Sequence, residues 1–233
     1  FSSSTALIRP AVQTGNVDVI TQAMAREVLT NKEGKATGIA YVNKMDGLEY
    51  QVQGRVVVLA ASACETARLM LNSKSQRHPN GIGNSSDVLG KYLHDSTGAA
   101  LGGVLPDLFD RKRYNEDGVG GMHIYTPWWL DNKNLDFPRG YHIEIGGGLG
   151  APMYGFGFDF NSLNKFFGIE VGGYGDRVRE EVKKYYGSTI FFAGRGESVP
   201  NKDNYCEIDP DKVDEFGVPV LRFNYKWSNH EVN

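Results

Sequence analysis

Hydrophobic and polar residues alternate along the first quarter of the chain in the manner of β-strands. Strands are predicted at Ala23–Leu29 and Thr37–Val42, because residues two apart in a strand lie on the same face. The dipeptide Asp46-Gly47, which precedes a further alternating stretch, is typical of a tight hairpin turn. These segments together predict a β-meander that leads into the run Arg55–Leu59.

The run Arg55–Leu59 is apolar after its first residue and shows no alternation. Such a run predicts a strand that is buried on both faces, as in a parallel sheet. Ser62 and Glu65 have the spacing of a capping box, and a helix is predicted over residues 66–73, with its start at about Ser62–Glu65. Ligands of α/β units bind beyond the carboxyl ends of such strands, and a helix N-terminus favours an anion. A plain structural βα unit without a ligand fits the same pattern.

The second half of the chain is rich in glycine and aromatic residues, with short alternating stretches. Met122–Thr126 and Tyr141–Ile145 are predicted to be strands of an antiparallel sheet. A helix is predicted at Asp176–Tyr186, with Asp176 as its N-cap. A hairpin that pairs Tyr205–Ile208 with Val218–Tyr225 is expected in or beside the antiparallel sheet.

The candidate functional residues of this half are polar residues on the two predicted strands. His142 and Glu144 would share one face, as would His123 and Tyr125, and both pairs are expected to point away from the main apolar face. The two-histidine helical motif of zinc enzymes is absent, so no metal ligand is assigned. A sugar-sized pocket or solvent fits these side chains better, and with His94 they line a pocket at most.

Two further stretches resemble ligand-binding motifs only incompletely. Gly146–Gly150 would need glycine at the position of Ala151 to complete a dinucleotide-binding motif, and no helical pattern follows. The acidic stretch that begins at Asp209 resembles a calcium loop, but Val213 and Val220 occupy its fifth and twelfth positions. A charged hairpin turn explains this stretch better.

Composition excludes several classes of protein. The chain has 233 residues, of which 40% are hydrophobic and 23% charged, so a mainly disordered chain is excluded. The net charge of −3 gives no basic field for nucleic acid, and the run Val56–Ala61 is too short to insert into a membrane. Cys64 and Cys206 are too few for a disulfide scaffold or a four-cysteine zinc site. We expect a soluble protein, cytoplasmic or periplasmic, and an internal piece of a longer chain because it starts at Phe1.

Several stretches, in this order, resemble the glucose–methanol–choline (GMC) family of flavin oxidoreductases. They are Ala36–Val42 with Arg55–Leu59 and Glu65–Ser73, then Gly83–Ser86 followed by Leu89–Asp95, and finally Asn204–Phe223. Within this family, the stretches most resemble those of the bacterial sugar-oxidising dehydrogenases. The resemblance covers both ends of the chain, whereas the middle is less diagnostic.

The resemblance implies an α/β plus α+β fold in two partial domains. Residues 1–97 would be part of a Rossmann-like FAD-binding domain with a β-meander. Residues 98–233 would be part of a substrate-binding domain with an antiparallel sheet. The boundary is expected near Thr97–Gly102, where the character of the sequence changes.

The resemblance also implies contacts with FAD. The backbone of Ala25 matches the family's adenine contact. The turn of Ala60, Ala61 and Ser62 matches the loop beside the ADP moiety, although Ser62 stands where many relatives have glycine. This agrees with the ligand position expected at the end of the apolar run.

The implied activity is oxidation of a CH–OH group of a sugar or related alcohol, with hydride transfer to FAD. A histidine would take the hydroxyl proton, and an electron-acceptor protein is a possible partner. His230 lacks the sequence context of the family's catalytic histidine, so no catalytic residue is assigned. The isolated fragment is therefore expected to be inactive.

Two other classes of function remain open. A non-catalytic carbohydrate-binding or interaction module would suit the aromatic middle, including Trp128-Trp129, although packing explains these residues as well. Such modules are usually all-β, which disagrees with the helix predicted after Ser62. A nicotinamide dehydrogenase should continue its βαβ pattern after Ser73, where the chain instead becomes a polar loop.

Overall fold

A computed structural model of the chain describes residues 2–109, 111–112, 124–127, 134, 139–148, 164–165, 170 and 172–232. Its strands are β1 (Ala23–Thr30), β2 (Ala36–Asn43), β3 (Glu49–Gln53), β4 (Ala100–Val104), β5 (Ile124–Pro127), β6 (Tyr141–Gly148), β7 (Thr189–Gly196), β8 (Tyr205–Val213) and β9 (Pro219–Asn224). Its helices are α1 (Arg9–Gln13), α2 (Ser62–Asn72), α3 (Asp176–Tyr185) and α4 (Asn229–Val232), with a π-helical segment at Ser4–Ile8 and a 3-10 turn at Pro106–Leu108. The strands form three antiparallel sheets in the orders β1-β2-β3, β4-β7-β6-β5 and β8-β9.

The chain divides into two compact units that are not continuous in sequence. The first unit contains Phe1–Leu93 and Pro200–Lys226, and the second contains His94–Val199 and Trp227–Asn233. The assignment of residues 1–97 to the cofactor and of residues 98–233 to the substrate stays a prediction.

The predicted β-meander is confirmed in the first unit. β2 pairs with β1 on one side and with β3 on the other, and the turn at Asp46-Gly47 closes the second hairpin. Alternate residues of β2 are buried, among them Ala40 and Val42, and Leu69 of α2 is buried as well. Helix α2 contacts β1 of the meander, in agreement with the apolar positions of its sequence.

The predicted buried strand at Arg55–Leu59 is wrong. This stretch is irregular, and the side chains of Val56 and Val58 are each 81% exposed. A run of apolar residues becomes a buried strand only when other strands pair with its backbone, and β1, β2 and β3 pair among themselves. The described residues combine helices with antiparallel sheets, so the Rossmann-like parallel sheet is not confirmed.

The hairpin of β8 and β9 also departs from its predicted position. It forms its own two-stranded sheet, and residues 200–226 cluster with the first unit, where the hairpin contacts α2. The expectation that it is part of the four-stranded sheet is wrong. The reason is a buried cation: Arg68 of α2 donates hydrogen bonds to the carbonyl oxygens of Pro219 and Val218 at 2.7 and 2.9 Å.

The second unit holds the predicted antiparallel sheet. The strand at Tyr141–Ile145 is confirmed as part of β6, and Ile124–Thr126 is confirmed as part of β5. Met122, His123 and the side chain of Tyr125 lie outside the described residues. The predicted helix is confirmed as α3, although its N-cap is Gly175 and not Asp176.

Four apolar residues form one row across the four-stranded sheet. The row consists of Leu101, Phe192, Ile145 and Ile124, which pair directly in that order. Leu101 and Ile124 are 72% and 74% exposed. We call this side of the sheet the open face, and the opposite side, which carries His142, the polar face.

The two motifs that the sequence argued against adopt ordinary strand structure. Gly146–Gly148 form the end of β6, and Asp209 lies within β8. Neither stretch forms a phosphate loop or a calcium loop in the described residues.

Candidate functional site

A pocket of about 260 Å³ opens between β1 and α2 in the first unit. Its lining residues are Ala23, Met24, Ala25 and Arg26 of β1, Ala61 before α2, Glu65, Arg68, Leu69 and Asn72 of α2, and Val218. Two of the four residues that the family resemblance assigned to the cofactor, Ala25 and Ala61, thus line one pocket. Ala60 and Ser62, the other two, do not line it.

Ala25 lies on an edge strand, which leaves part of the backbone accessible. Among the described strands β1 pairs with β2 alone, and the register between them shifts between Ala25 and Glu27. The outer backbone groups of an edge strand have no partner within the sheet. Ala25 itself is exposed. The backbone of this residue is therefore accessible for a hydrogen bond to a ligand.

The turn before α2 differs from the predicted capping box. The N-cap position is occupied by Ala61, and no side chain caps the helix. Ser62 has a φ of 69°, in the left-handed region, and begins the helix. Glu65 binds Arg68 at 3.2 Å in place of a cap, while the Ala61 N–H donates to Thr66 Oγ1 at 3.2 Å. The predicted capping role of Ser62 is wrong, although the predicted start of the helix at this point is confirmed.

Arg68 fixes the wall of the pocket and was not identified from the sequence. Its side chain is 8% exposed and forms ion pairs with Asp214 at 2.7 Å and with Glu65 at 3.2 Å. Asn72 adds a hydrogen bond from Nδ2 to the carbonyl oxygen of Pro219 at 3.1 Å. The sequence feature that could have indicated this role is the position of the arginine directly before Leu69, at the edge of the apolar stripe of α2.

The carboxylate of Asp214 is held in its charged form. Burial alone would raise the pKa of Asp214. Hydrogen bonds from Arg68 and from the N–H groups of Val218 and Phe216 outweigh that effect, and the pKa lies below its ordinary value. The hairpin and α2 are thus joined by a pair that is ionised at neutral pH.

The second unit carries a separate group of charged side chains on its polar face. His142 Nε2 lies 3.2 Å from Glu144 Oε1, which confirms that these residues share one face. Arg195 of β7 joins them, with Nε 3.5 Å from the other oxygen of Glu144. His94 is exposed, and His123 lies outside the described residues. Within the described ranges no group of three or more His, Cys, Asp or Glu residues could hold a metal ion.

None of the helices in the described ranges reaches the length and hydrophobicity that a membrane span requires.

Part of the chain matches a known protein family. Residues 1–97 match the family model described as GMC oxidoreductase. The chain is 28% identical to 2-methyl-1,2-propanediol dehydrogenase of Mycolicibacterium austroafricanum, over 92% of this chain and 36% of that protein. It is 23% identical to the fructose dehydrogenase large subunit of Gluconobacter japonicus, over 89% of this chain and 35% of that protein. It is 24% identical to the gluconate 2-dehydrogenase flavoprotein of Pantoea cypripedii, over 88% of this chain and 32% of that protein.

The predicted resemblance is thereby confirmed: residues 1–97 match the GMC oxidoreductase family model. These three relatives are bacterial dehydrogenases, in agreement with the resemblance of the motifs to bacterial sugar-oxidising dehydrogenases. The chain spans about a third of the length of the curated relatives it matches.

Proposed function

We propose that the whole protein is a flavin oxidoreductase that oxidises a CH–OH group of a sugar or related alcohol and passes the hydride to FAD. The family match and the three dehydrogenases support this proposal. The observation that carries it is the pocket between β1 and α2, which unites Ala25 and Ala61. The family resemblance assigns both residues to the cofactor.

The chemistry of the pocket fits one part of FAD. Its volume of about 260 Å³ is smaller than the roughly 300–1,000 Å³ of pockets that enclose a whole ligand. Ala23, Ala25, Ala61 and Leu69 give it apolar walls, and the outer edge of β1 offers backbone groups. Adenine is flat and uncharged, with hydrogen-bonding groups at its rim. We assign the adenine end of FAD to this pocket.

The roles of protein and cofactor then separate. FAD supplies the hydride acceptor. Ala25 and Ala61 bind the adenine end, and Arg68 keeps α2 and the hairpin in place around it. No residue of this chain is assigned as the base that takes the hydroxyl proton.

The substrate that we propose is a small hydroxylated molecule. The relatives are named for 2-methyl-1,2-propanediol, fructose and gluconate, which share hydroxyl groups on a short carbon skeleton. The fructose dehydrogenase relative is a large subunit. By analogy we propose that an electron-acceptor protein works with the whole protein. The alternative of a non-catalytic binding module has no support among these relatives.

The test is the flavin content of the full-length protein. We expect it to purify yellow and to bleach when fructose, glucose or gluconate is added in turn. Ala61→Leu places a larger side chain in the pocket and should weaken FAD retention about tenfold or more, whereas Ala63→Leu, on the exposed side of the same helix turn, should not. A colourless full-length protein would reject the function. Equal FAD retention by both variants would contradict the assignment of the adenine end of FAD to this pocket.

A further inference from the structure

A second cleft lies entirely within the second unit, on the open face of the four-stranded sheet. It has a volume of about 470 Å³. Its lining residues are Thr97, Gly98, Ala99, Tyr141, Gly194, Arg195, Gly196, Trp227, Glu231 and Val232. Because three glycines lie among them, we call it the glycine cleft.

The floor of the glycine cleft is backbone without side chains. Gly194 and Gly196 pair with Ile143 and Tyr141 of β6, so their missing side chains would all lie on the open face. Gly98 is required by close packing, because a Cβ there would lie 1.9 Å from the carbonyl oxygen of Gly194.

Gly194, in contrast, has no packing reason to be glycine. A Cβ there would meet only the carbonyl oxygen of Ala99 at 3.6 Å, an ordinary contact. Its φ is not in the left-handed region. The fold would accept alanine at this position, and the effect of glycine is to keep the floor of the cleft flat and open.

An aromatic wall stands beside this floor. Trp227 is 49% exposed, and Tyr141 of β6 also lines the cleft. The backbone after Trp227 is held by a capping box: Glu231 accepts a hydrogen bond from the Ser228 N–H at 2.7 Å and another from the Val199 N–H at 2.9 Å. A large aromatic side chain therefore projects from a fixed point of the backbone, half open to solvent.

The charges around the cleft disfavour an anionic ligand. Hydrogen bonds from Ser228 and from the Val199 N–H lower the pKa of Glu231 to about 2, so its carboxylate is ionised at neutral pH. Arg195 is the one cationic residue of the lining, but its guanidinium lies on the polar face, where it pairs with Glu144. The cleft thus offers an aromatic wall, a flat floor and a negative charge that is already hydrogen-bonded.

We propose that the glycine cleft binds the ring of a neutral sugar, stacked on Trp227. The C–H face of a pyranose or furanose is flat and apolar, which suits an aromatic wall over a floor without side chains. Its hydroxyl groups can bond to Thr97 and to backbone groups of the rim. The proposal rests on the proposed function for the identity of the ligand, and it names a neutral cyclic sugar, not a sugar acid, as the substrate class.

The experiment is a binding titration of the full-length protein by calorimetry, with fructose and glucose as neutral probes and gluconate as the anionic probe. Trp227→Ala and Gly194→Ala should each weaken binding of the neutral sugar about tenfold or more. Gly103→Ala is the matched control, since Gly103 lies on the same open face, pairs with Ile190 and has no atom within 4 Å of the position that a Cβ would take. It should bind within twofold of the unaltered protein, and gluconate should bind at least tenfold more weakly than the neutral sugar.

Flavin absorbance of the same samples separates this proposal from the proposed function. A colourless protein whose sugar binding is lost in Trp227→Ala would reject the oxidoreductase and retain the cleft. A yellow protein whose variants all bind sugar equally, or that prefers gluconate, would contradict sugar binding in the glycine cleft and leave the proposed oxidoreductase function standing. Should Trp227→Ala fail to fold, Gly194→Ala decides the question, and Trp227→Phe, which keeps a ring, should restore most of the binding.

Discussion

Arg68 and Asp214, which are 146 positions apart in the sequence, form a 2.7 Å ion pair that joins α2 to the end of β8. Their side chains are 8% and 18% exposed. Removing one partner of such a pair leaves the other buried without compensation. The pair therefore holds the β8–β9 hairpin in the first unit and keeps Arg68 in the wall of the pocket between β1 and α2.

Replacing Arg68 should destabilise the first unit strongly. Arg68→Met keeps much of the volume but removes the donors to Asp214, Pro219 and Val218, and we expect a loss of about 3–5 kcal/mol in the free energy of unfolding. Urea denaturation followed by circular dichroism measures it. The matched control is Arg179→Met, whose ion pair with Asp176 is 78% and 89% exposed and should contribute less than about 0.5 kcal/mol. Similar losses in both variants would contradict the structural role of Arg68.

The ionisation of Glu231 should make the second unit sensitive to acid. The pKa of Glu231 in the folded chain is about 2, against 4.5 for the ordinary group. A folded pKa below the unfolded one stabilises the fold above the unfolded pKa, and this contribution disappears as the pH falls through the folded pKa. The window of loss thus runs from about pH 4.5 down to about pH 2.

Glu231→Gln tests that window. The variant does not titrate, and its single amide oxygen can accept from only one of the two N–H groups, that of Val199 or that of Ser228, which bond to different oxygens of Glu231. Its urea midpoint should fall less than that of the unaltered protein between pH 5 and pH 2.5, whereas at pH 7 the unaltered protein should be the more stable. Parallel falls in the two proteins would show that Glu231 does not carry this acid sensitivity.

The left-handed backbone at Ser62 gives a different prediction. Its φ of 69° costs an L-residue about 1–2 kcal/mol, and glycine is free of that cost. Ser62→Gly should therefore raise the free energy of unfolding by about 1 kcal/mol, even though it lies in a helix. Ser62→Ala should change it by less than about 0.5 kcal/mol, because the side chain of Ser62 makes no cap.

Ala63→Gly is the control, since Ala63 follows Ser62 in the same helix turn without a positive φ. It should lower the free energy of unfolding by about 0.5–1 kcal/mol. Thermal melting of the three variants in one buffer provides the comparison. A stabilising Ala63→Gly, or a destabilising Ser62→Gly, would contradict the assignment of strain to Ser62.

The sequence predicted elements whose determinants are local, and it failed where distant partners decide. The β1–β3 meander follows from alternation and from the Asp46-Gly47 turn, and α2 follows from its apolar positions. Arg55–Leu59 failed because its state depends on strands that would have to pair with it. The hairpin failed because Arg68, far away in sequence, supplies the donors that anchor it. Those donors could not be assigned to their acceptors without coordinates.

The candidate site was predicted in part for a related reason. The family resemblance selected Ala25 and Ala61, which the structure brings to one pocket, but it also selected Ala60 and Ser62, which do not line it. A resemblance identifies a stretch of chain, whereas the direction of each residue depends on the local backbone. At Ser62 the left-handed φ redirects that backbone.

Ser73 connects the two walls of the pocket between β1 and α2. It is 4% exposed; its Oγ accepts a hydrogen bond from the Val28 N–H of β1 at 2.8 Å and donates one to the carbonyl oxygen of Leu69 in α2 at 2.6 Å. Ser73→Ala would leave the buried N–H of Val28 without an acceptor, at a cost of about 1–3 kcal/mol in the free energy of unfolding.

The control for Ser73→Ala is a second buried serine whose loss leaves no donor unpaired. Ser188 Oγ donates to the carbonyl oxygen of Tyr185 at 2.9 Å, and that oxygen also accepts from the Ser188 N–H at 3.1 Å. Ser188→Ala should therefore cost only about 0.5–1.5 kcal/mol. Hydrogen exchange provides a second readout, because the Val28 amide should lose protection in Ser73→Ala alone. Since β1 and α2 form the pocket, FAD retention should fall in Ser73→Ala and not in Ser188→Ala. Unchanged exchange at Val28 would show that Ser73 does not hold the two walls together.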